Sequence, residues 1–276
     1  MNSIKKSDDG IKENVLQIIN TMVKNKVDLF YKKSGWDPFD PSYLSRYEEE
    51  LKITDEKFWE LCFTSIFYAG FRAQTVDDKY EGLCECFGDY NKVANFNEEE
   101  IKGLLSNRKI IRHESKIRAI VDNAKTFLSV IKDYGSGEKY LLSFSVPLIQ
   151  QNDNDLKKLE NLKQDLRDKF KRFGPATTDH FLQRVGFDVL KADIIIRRLF
   201  YRLEITEEML STSEEDEKMA REISAYIANL MGIPVTSIDR LFHWFGREKG
   251  AEICTDKPKC HLCLVSPKCK RSDLVA

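Results

Sequence analysis

Apolar residues recur along most of this chain at intervals of three and four. Ile117, Ile120, Val121, Ala124, Phe127, Leu128 and Ile131 fall on one helical stripe, which predicts an amphipathic helix with that face against a core. Ser115 marks its start. Upstream, Asn97 precedes Glu98, Glu99 and Glu100, the pattern of an N-cap with acids set against the helix dipole, and Phe96 can staple to Ile101. Thr54 with Asp55 and Glu56 opens another helix carrying Phe58, Leu61, Cys62 and Ile66. A further helix runs from Ser213 through Met219, Ile223, Ile227 and Leu230 and is stopped by Gly232 and Pro234. No set of alternating strands emerges: residues 140–146 are the best candidate, and a single strand has nothing to pair with. The predicted fold class is all-α, with loops at residues 34–42, 133–139 and 150–155 and in a cysteine-rich tail.

Composition narrows this picture. The chain has 276 residues, 42% hydrophobic and 32% charged, enough apolar side chain to bury a core and too much for intrinsic disorder. No apolar run reaches the roughly 18 to 20 residues of a membrane span, and residues 1–10 are polar rather than a signal peptide. A soluble, intracellular, monomeric protein is expected. Net charge is −1, from 44 basic and 45 acidic residues, so bulk electrostatics do not announce a polyanionic partner and only local charge can.

The seven cysteines are unevenly placed. Cys62, Cys84 and Cys86 stand apart, whereas Cys254, Cys260, Cys263 and Cys269 crowd into 16 residues with gaps of five, two and five. Four thiolates so close in sequence can wrap one centre. Zinc ribbons usually separate two close pairs by a longer stretch; here only the middle pair is close, which favours a [4Fe-4S] cluster and leaves zinc as the alternative. The same stretch carries Lys257, Lys259, Lys268, Lys270 and Arg271 against Asp256, a net +4 suited to phosphate contact.

A second basic stretch spans residues 170–202, with seven Lys or Arg against three Asp. Within it Phe170-Lys171-Arg172-Phe173-Gly174-Pro175-Ala176-Thr177-Thr178 lies between two helical patterns. A helix, a tight turn and a second helix would aim backbone amides and the positive end of the second helix at a phosphate. An ordinary helix-helix turn fits the same residues. Downstream, Asp193 stands between Ala192 and Ile194-Ile195-Ile196, as a helix N-cap or as a functional acid in an apolar setting.

These motifs together resemble the helix-hairpin-helix DNA glycosylase superfamily. The run Phe173-Gly174-Pro175-Ala176-Thr177-Thr178 through Phe181, Gln183, Val185 and Gly186, the segment from Ile110 through Arg112-His113-Glu114-Ser115-Lys116-Ile117 to Asn123-Ala124, and Ala69-Gly70 followed by Thr75-Val76 are most similar to the 3-methyladenine DNA glycosylase I family. The cysteine tail resembles the cluster loop of the endonuclease III branch, with five residues in the first gap where that branch commonly has six. The resemblance implies two helical lobes with a cleft between them, residues 53–187 as a six-helix lobe with wedge and hairpin, and residues 1–52 plus 188–276 as the lobe with catalytic acid and cluster.

It also implies roles. Lys171, Arg172, Phe173, Gly174, Ala176 and Thr177 would grip DNA, helped by Lys257 and Lys259; Cys254, Cys260, Cys263 and Cys269 would hold the cluster. Asp193, 19 residues past Gly174, matches the superfamily's catalytic aspartate, which stabilises an oxocarbenium-like sugar and orients water. Ala176 stands where lyase-competent members carry a lysine, so hydrolysis without strand cleavage is expected. Gln74 would enter the space vacated by a flipped base, with Phe67 and Tyr68 as pocket candidates. Ser65 falls about where the 3-methyladenine family reads the base with a glutamate, and that family's terminal His and Cys zinc ligands are not found. The expected function is a monofunctional glycosylase acting on double-stranded DNA with an alkylated, deaminated or oxidised base. A non-catalytic damage-binding module, a bifunctional glycosylase/lyase and a zinc-ribbon binder are the alternatives. His113 and His180 are expected as surface or capping residues, and His243 as packing near the cluster.

Overall fold

A computed structural model describes residues 51–150, 152–246 and 252–263, together with 17, 19, 21, 265 and 269. The predicted loop at residues 34–42, most of residues 1–52, and Arg247, Lys268, Lys270 and Arg271 lie outside the described residues. Among the described residues every regular element is helical, and no helix is long and apolar enough to cross a membrane. The chain divides into two compact units, Tyr47–Asp188 and a second made of Met1–Arg46 with Val189–Ala276.

In the first unit, α1 (Asp55–Tyr68) starts where Thr54 Oγ1 accepts the Lys57 amide and Asp55 and Glu56 face the positive helix end. Short helices follow: α2 (Ala73–Asp77), α3 (Tyr80–Phe87) and α4 (Tyr90–Val93). The predicted cap at Asn97 is a complete capping box: Asn97 Oδ1 accepts the Glu99 and Glu100 amides and Glu100 reaches back to the Asn97 amide, opening α5 (Glu98–Ser106). The long stripe forms α6 (Glu114–Tyr134), whose N-cap is His113 rather than Ser115. Residues 140–146 are not a strand; their first part closes α7 (Gly137–Leu142). Gly137 is required there because a Cβ would stand 2.8 Å from the Phe58 ring.

The core of this unit is aromatic. Phe58 stacks on Phe127 with centroids 4.7 Å apart and meets Phe181 edge-on at 5.0 Å, and the Trp59 indole donates to the Phe87 carbonyl at 2.6 Å. The predicted pair of helices around the Gly-Pro turn is present as α8 (Asp153–Lys169) and α9 (Pro175–Val185). A fully buried ion pair, Lys163 to Asp179 at 2.8 Å, joins them.

In the second unit, α10 (Ile194–Arg202), α11 (Glu214–Met231) and α12 (Val235–Gly246) enclose a core that includes Ala192, Ile196, Phe200, Phe242 and Trp244. The predicted limits of α11 hold: Ser213 caps it through the Asp216 amide, and Gly232 ends it at φ +64°. Beyond α12, among the described residues, the regular structure is a single 3₁₀ turn, Cys260–Leu262.

Candidate functional site

Three groups of residues singled out by the sequence have defined surroundings. The first is the turn between α8 and α9. Gly174 is the N-cap of α9, with Pro175 at its first position, where a missing amide hydrogen costs nothing. Gly174 is exposed and nothing lies within 4 Å of where its Cβ would be, so the backbone here is open to close approach. Arg172 adopts the left-handed conformation at φ +65° and its guanidinium donates to Ser115 Oγ at 2.6 Å. Lys171 is exposed and pairs with Asp122 at 2.6 Å, while Asn123 holds the Lys171 backbone. Phe173 is instead a core residue, 3% exposed, packed on Phe170 and Phe181. Thr177 is also buried and Ala176 half-buried, so the accessible groups at the turn are main chain and the two basic side chains. Beside it, buried Lys116 donates to the Ile66 and Ala69 carbonyls at the end of α1; burial and the Arg172 charge bring its amine down to about 8.

The wedge and pocket candidates lie in the same unit. Gln74 is exposed on α2 and its amide donates to Asp78. Phe67 is fully buried with its ring 6.0 Å from that of Phe87: it is core, with no face presented to a base. Tyr68 is half-buried, donates to Asp77 at 2.5 Å, and its ring meets His180 edge-on and the Arg184 guanidinium at 5.4 Å. Ser65 is fully buried and its hydroxyl has no hydrogen-bond partner.

The second group is built around Asp193, which does cap a helix. Its Oδ1 accepts the Ile195 and Ile196 amides at 2.9 and 3.4 Å. Its Oδ2 faces His243 Nε2 at 2.8 Å and Lys191 Nζ at 3.8 Å. The carboxylate is one-fifth exposed. Burial would raise its pKa, but His243, Lys191 and the helix amide outweigh that and hold the group well below the usual carboxylate range. His243 is thus the partner of Asp193, where sequence reasoning had it packing near the cluster. Its other nitrogen, Nδ1, lies 3.1 Å from Asp239 Oδ2 and 2.9 Å from the Asp239 carbonyl. Burial disfavours the imidazolium, yet the two carboxylates raise its pKa well above 6.5. Sequence reasoning missed Asp239. The signal available for Asp239 was its spacing of four from His243, which places both on one face of a helix.

The third group is the tail. Cys254, Cys260, Cys263 and Cys269 line one pocket with Arg202 and Phe245. Cys254 is buried, and the Arg202 guanidinium donates to its sulfur at 3.3 Å and to the Thr255 carbonyl at 2.7 Å. Burial raises the Cys254 thiol and pushes that of Cys263 up to about 11, with the neighbouring cysteines adding to the latter. Among the described residues no three His, Cys, Asp or Glu side chains are close enough to hold a single metal ion. Lys259 pairs with Glu252 at 3.1 Å, Lys257 is exposed, and Asp256 is bound by Arg198.

With this geometry in hand, known proteins supply a family. The methyladenine glycosylase family model matches residues 36–192, more than half of the chain, and the chain belongs to that family. It is 32% identical over 103 residues to DNA-3-methyladenine glycosylase 1 of Escherichia coli strain K12, a match covering 36% of this chain and 55% of that protein. The chain therefore spans about half the length of the curated relatives it matches. The 8-oxoguanine DNA glycosylase of Thermotoga maritima superposes over 84% of this chain and 96% of its own at TM-score 0.54 and 16% identity. The Methanocaldococcus jannaschii 8-oxoguanine glycosylase/lyase, solved with a 15mer DNA containing 8-oxoguanine, does so over 85% and 95% at TM-score 0.52 and 15% identity. Those two likenesses show the fold alone. The family match stops one residue short of Asp193; His243 and the cysteine tail lie beyond it.

Proposed function

We propose that this protein is a DNA glycosylase of base excision repair that acts as a monomer inside the cell on double-stranded DNA, flips out a damaged base and hydrolyses its N-glycosidic bond without cutting the strand. Membership of the methyladenine glycosylase family supports the reaction class. The observation that carries the assignment of chemistry is Asp193: a carboxylate fixed at a helix N-terminus, held ionised by a cation and still partly exposed. A fixed anion stabilises positive charge developing on the deoxyribose as the base departs, and its free lone pairs can orient the attacking water.

On this reading the accessible backbone at Gly174 with Lys171 and Arg172 contacts phosphates of one strand, a contact blind to sequence. Lys257 and Lys259 add further phosphate contacts. Gln74 fills the vacated stack. Ser65, whose buried hydroxyl lacks a partner, is the pocket candidate that most needs a ligand group, with Tyr68 the aromatic neighbour of choice. The substrate is an alkylated, deaminated or oxidised base: Ser65 in place of a base-reading glutamate argues against carrying over a preference for 3-methyladenine.

Cys254, Cys260, Cys263 and Cys269 would hold a [4Fe-4S] cluster. Four thiols lining one pocket, with a guanidinium against the first of them, support this reading, and their spacing along the chain suits a multi-atom centre better than a single zinc ion. A cluster saturated by four thiolates supplies structure rather than bond-breaking chemistry.

Base release from a panel of duplexes, each containing one modified base, tests the assignment, with Asp193→Asn compared to the native protein. Release from at least one duplex, falling by orders of magnitude in the variant while duplex binding persists, is the expected result. Binding without release from every duplex would instead make the protein a damage-binding module.

A further inference from the structure

Asp193 does not stand by itself at the end of α10. Three other residues, Lys191, Asp239 and His243, close a ring with it. Asp193 Oδ2 takes His243 Nε2 at 2.8 Å; His243 Nδ1 lies 3.1 Å from Asp239 Oδ2; Asp239 Oδ1 accepts the Lys191 amide at 3.1 Å; and the Lys191 ammonium returns to Asp193 at 3.8 Å. Lys191 and Asp193 belong to the segment entering α10, Asp239 and His243 to α12. The ring therefore ties the incoming chain to a neighbouring helix through charged groups. Asp239 is 6% exposed and His243 18%, so little water screens these contacts.

The geometry points to His243 as a positioning residue for the proposed reaction: held between two carboxylates with a proton on each ring nitrogen, it fixes the rotamer of Asp193 and keeps that carboxylate ionised. This inference rests on the glycosylase reading for its catalytic meaning, though not for its physical content. A neutral imidazole has one donor and one acceptor. Between two carboxylates, one of its nitrogens would then turn a lone pair toward an anion, so the doubly protonated ring is the form that satisfies both contacts. The charged groups set against the pair are Lys191 from the incoming segment, Asp239 from α12 and, behind the Asp193 carbonyl, the Arg197 guanidinium of α10.

Mechanistically the ring assigns a division of labour. With Oδ1 engaged by the helix amides and Oδ2 by His243, Asp193 is a poor proton acceptor. It acts as a fixed negative charge and as an acceptor for water, and the proton released by that water must leave by another route. An Asp193 freed of its cation would protonate more readily in its partly buried setting, and its charge would then be lost in mild acid.

Long-range proton-nitrogen correlation spectra of the histidine rings in the full-length chain, with the His243 signal assigned by its loss in His243→Gln, provide the direct test. At pH 8 both ring nitrogens of His243 should be protonated, and in Asp239→Asn or Asp193→Asn the ring should titrate closer to its ordinary value of 6.5. A neutral His243 ring at pH 8 in the native protein overturns the inference, as does a ring unaffected by either substitution. The second measurement is the pH profile of single-turnover base release. His243→Gln keeps a donor toward Asp193 but no charge, so its acidic limb should move up by about one unit, a tenfold loss at the limb, whereas a role in packing alone would lower the rate equally at all pH values. Should His243→Gln fail to fold, Asp239→Asn carries the same profile test. Absence of base release from every duplex would sink the glycosylase reading while the ring spectra still decide the protonation of His243.

Discussion

Asn123 holds Lys171 by both of its backbone groups: its Nδ2 donates to the Lys171 carbonyl at 3.0 Å and its Oδ1 accepts the Lys171 amide at 2.7 Å. A side-chain amide is the one neutral group that offers a donor and an acceptor at this spacing, so it mimics a backbone pairing between α6 and the turn. The turn that is proposed to touch DNA is thus pinned to the longest described helix of its unit rather than to its own two helices only.

Replacing Asn123 by Ala leaves a part-buried amide and carbonyl unpaired, which costs about 1 to 3 kcal/mol. The melting temperature should fall by several degrees, and duplex affinity should fall with it because Lys171 and Arg172 lose their fixed placement. Asn123→Asp keeps the acceptor and should rank between the two. Calorimetry and fluorescence anisotropy on one preparation would check both; unchanged affinity despite lower stability would detach the turn from DNA binding.

The Lys163–Asp179 pair is fully buried between α8 and α9. Lys163→Met removes the cation that faces the buried Asp179 carboxylate and should cost about 3 to 5 kcal/mol, whereas the joint change Lys163→Met with Asp179→Leu removes both charges and should cost much less. Urea denaturation of the three proteins gives the comparison, and a double variant less stable than Lys163→Met would contradict it.

Stability should vary with pH in a defined way. The His243 pKa is raised in the folded state, so its stabilisation is complete below its ordinary value of 6.5 and is lost as pH rises through the folded value. The Asp193 pKa is depressed, so its contribution is present above its ordinary 3.8 and is lost as pH falls further. Maximum stability from this pair therefore lies between about pH 4 and 6.5, and His243→Gln should flatten the decline on the alkaline side. Thermal melts from pH 4 to 9 would show it; a wild-type profile that rises through neutrality would not fit.

Purified under exclusion of oxygen, the native chain should carry about four irons and four acid-labile sulfides. Cys260→Ser should lose them and destabilise the second unit, since metal binding there is folding energy. One zinc per chain would replace the cluster with a ribbon-type site.

On the proposed reading borohydride should trap no covalent adduct on an abasic or damaged duplex, because the resemblance puts Ala176 where lyase-competent relatives carry the Schiff-base lysine, and Lys191 is engaged with Asp193. A trapped adduct would make the protein a lyase as well.

What the chain displays along its length is local: helix periods, caps at Thr54, Asn97 and Ser213, and a glycine stop at Gly232 all appear where the residues ask for them. Those depend on neighbours three or four residues away, as does the N-cap role of Asp193, and the four cysteines lie within 16 residues of one another. The strand candidate at residues 140–146 failed because apolar composition without pairing partners carries no preference between helix and strand, and Tyr140 is drawn into the core by its ring contact with Phe58. Phe67 and Phe173 looked like ligand or DNA contacts in one dimension, since a list of aromatics does not say which ones the core consumes. The partnership of Asp193 with His243, 50 residues away, was invisible for the same reason. Sequence alone determined most of the long helices, their caps and most of the side chains that carry chemistry; tertiary packing decided which of them are sealed, which are paired, and hence which charges persist, because electrostatic coupling depends on distance and burial in space rather than on separation along the chain.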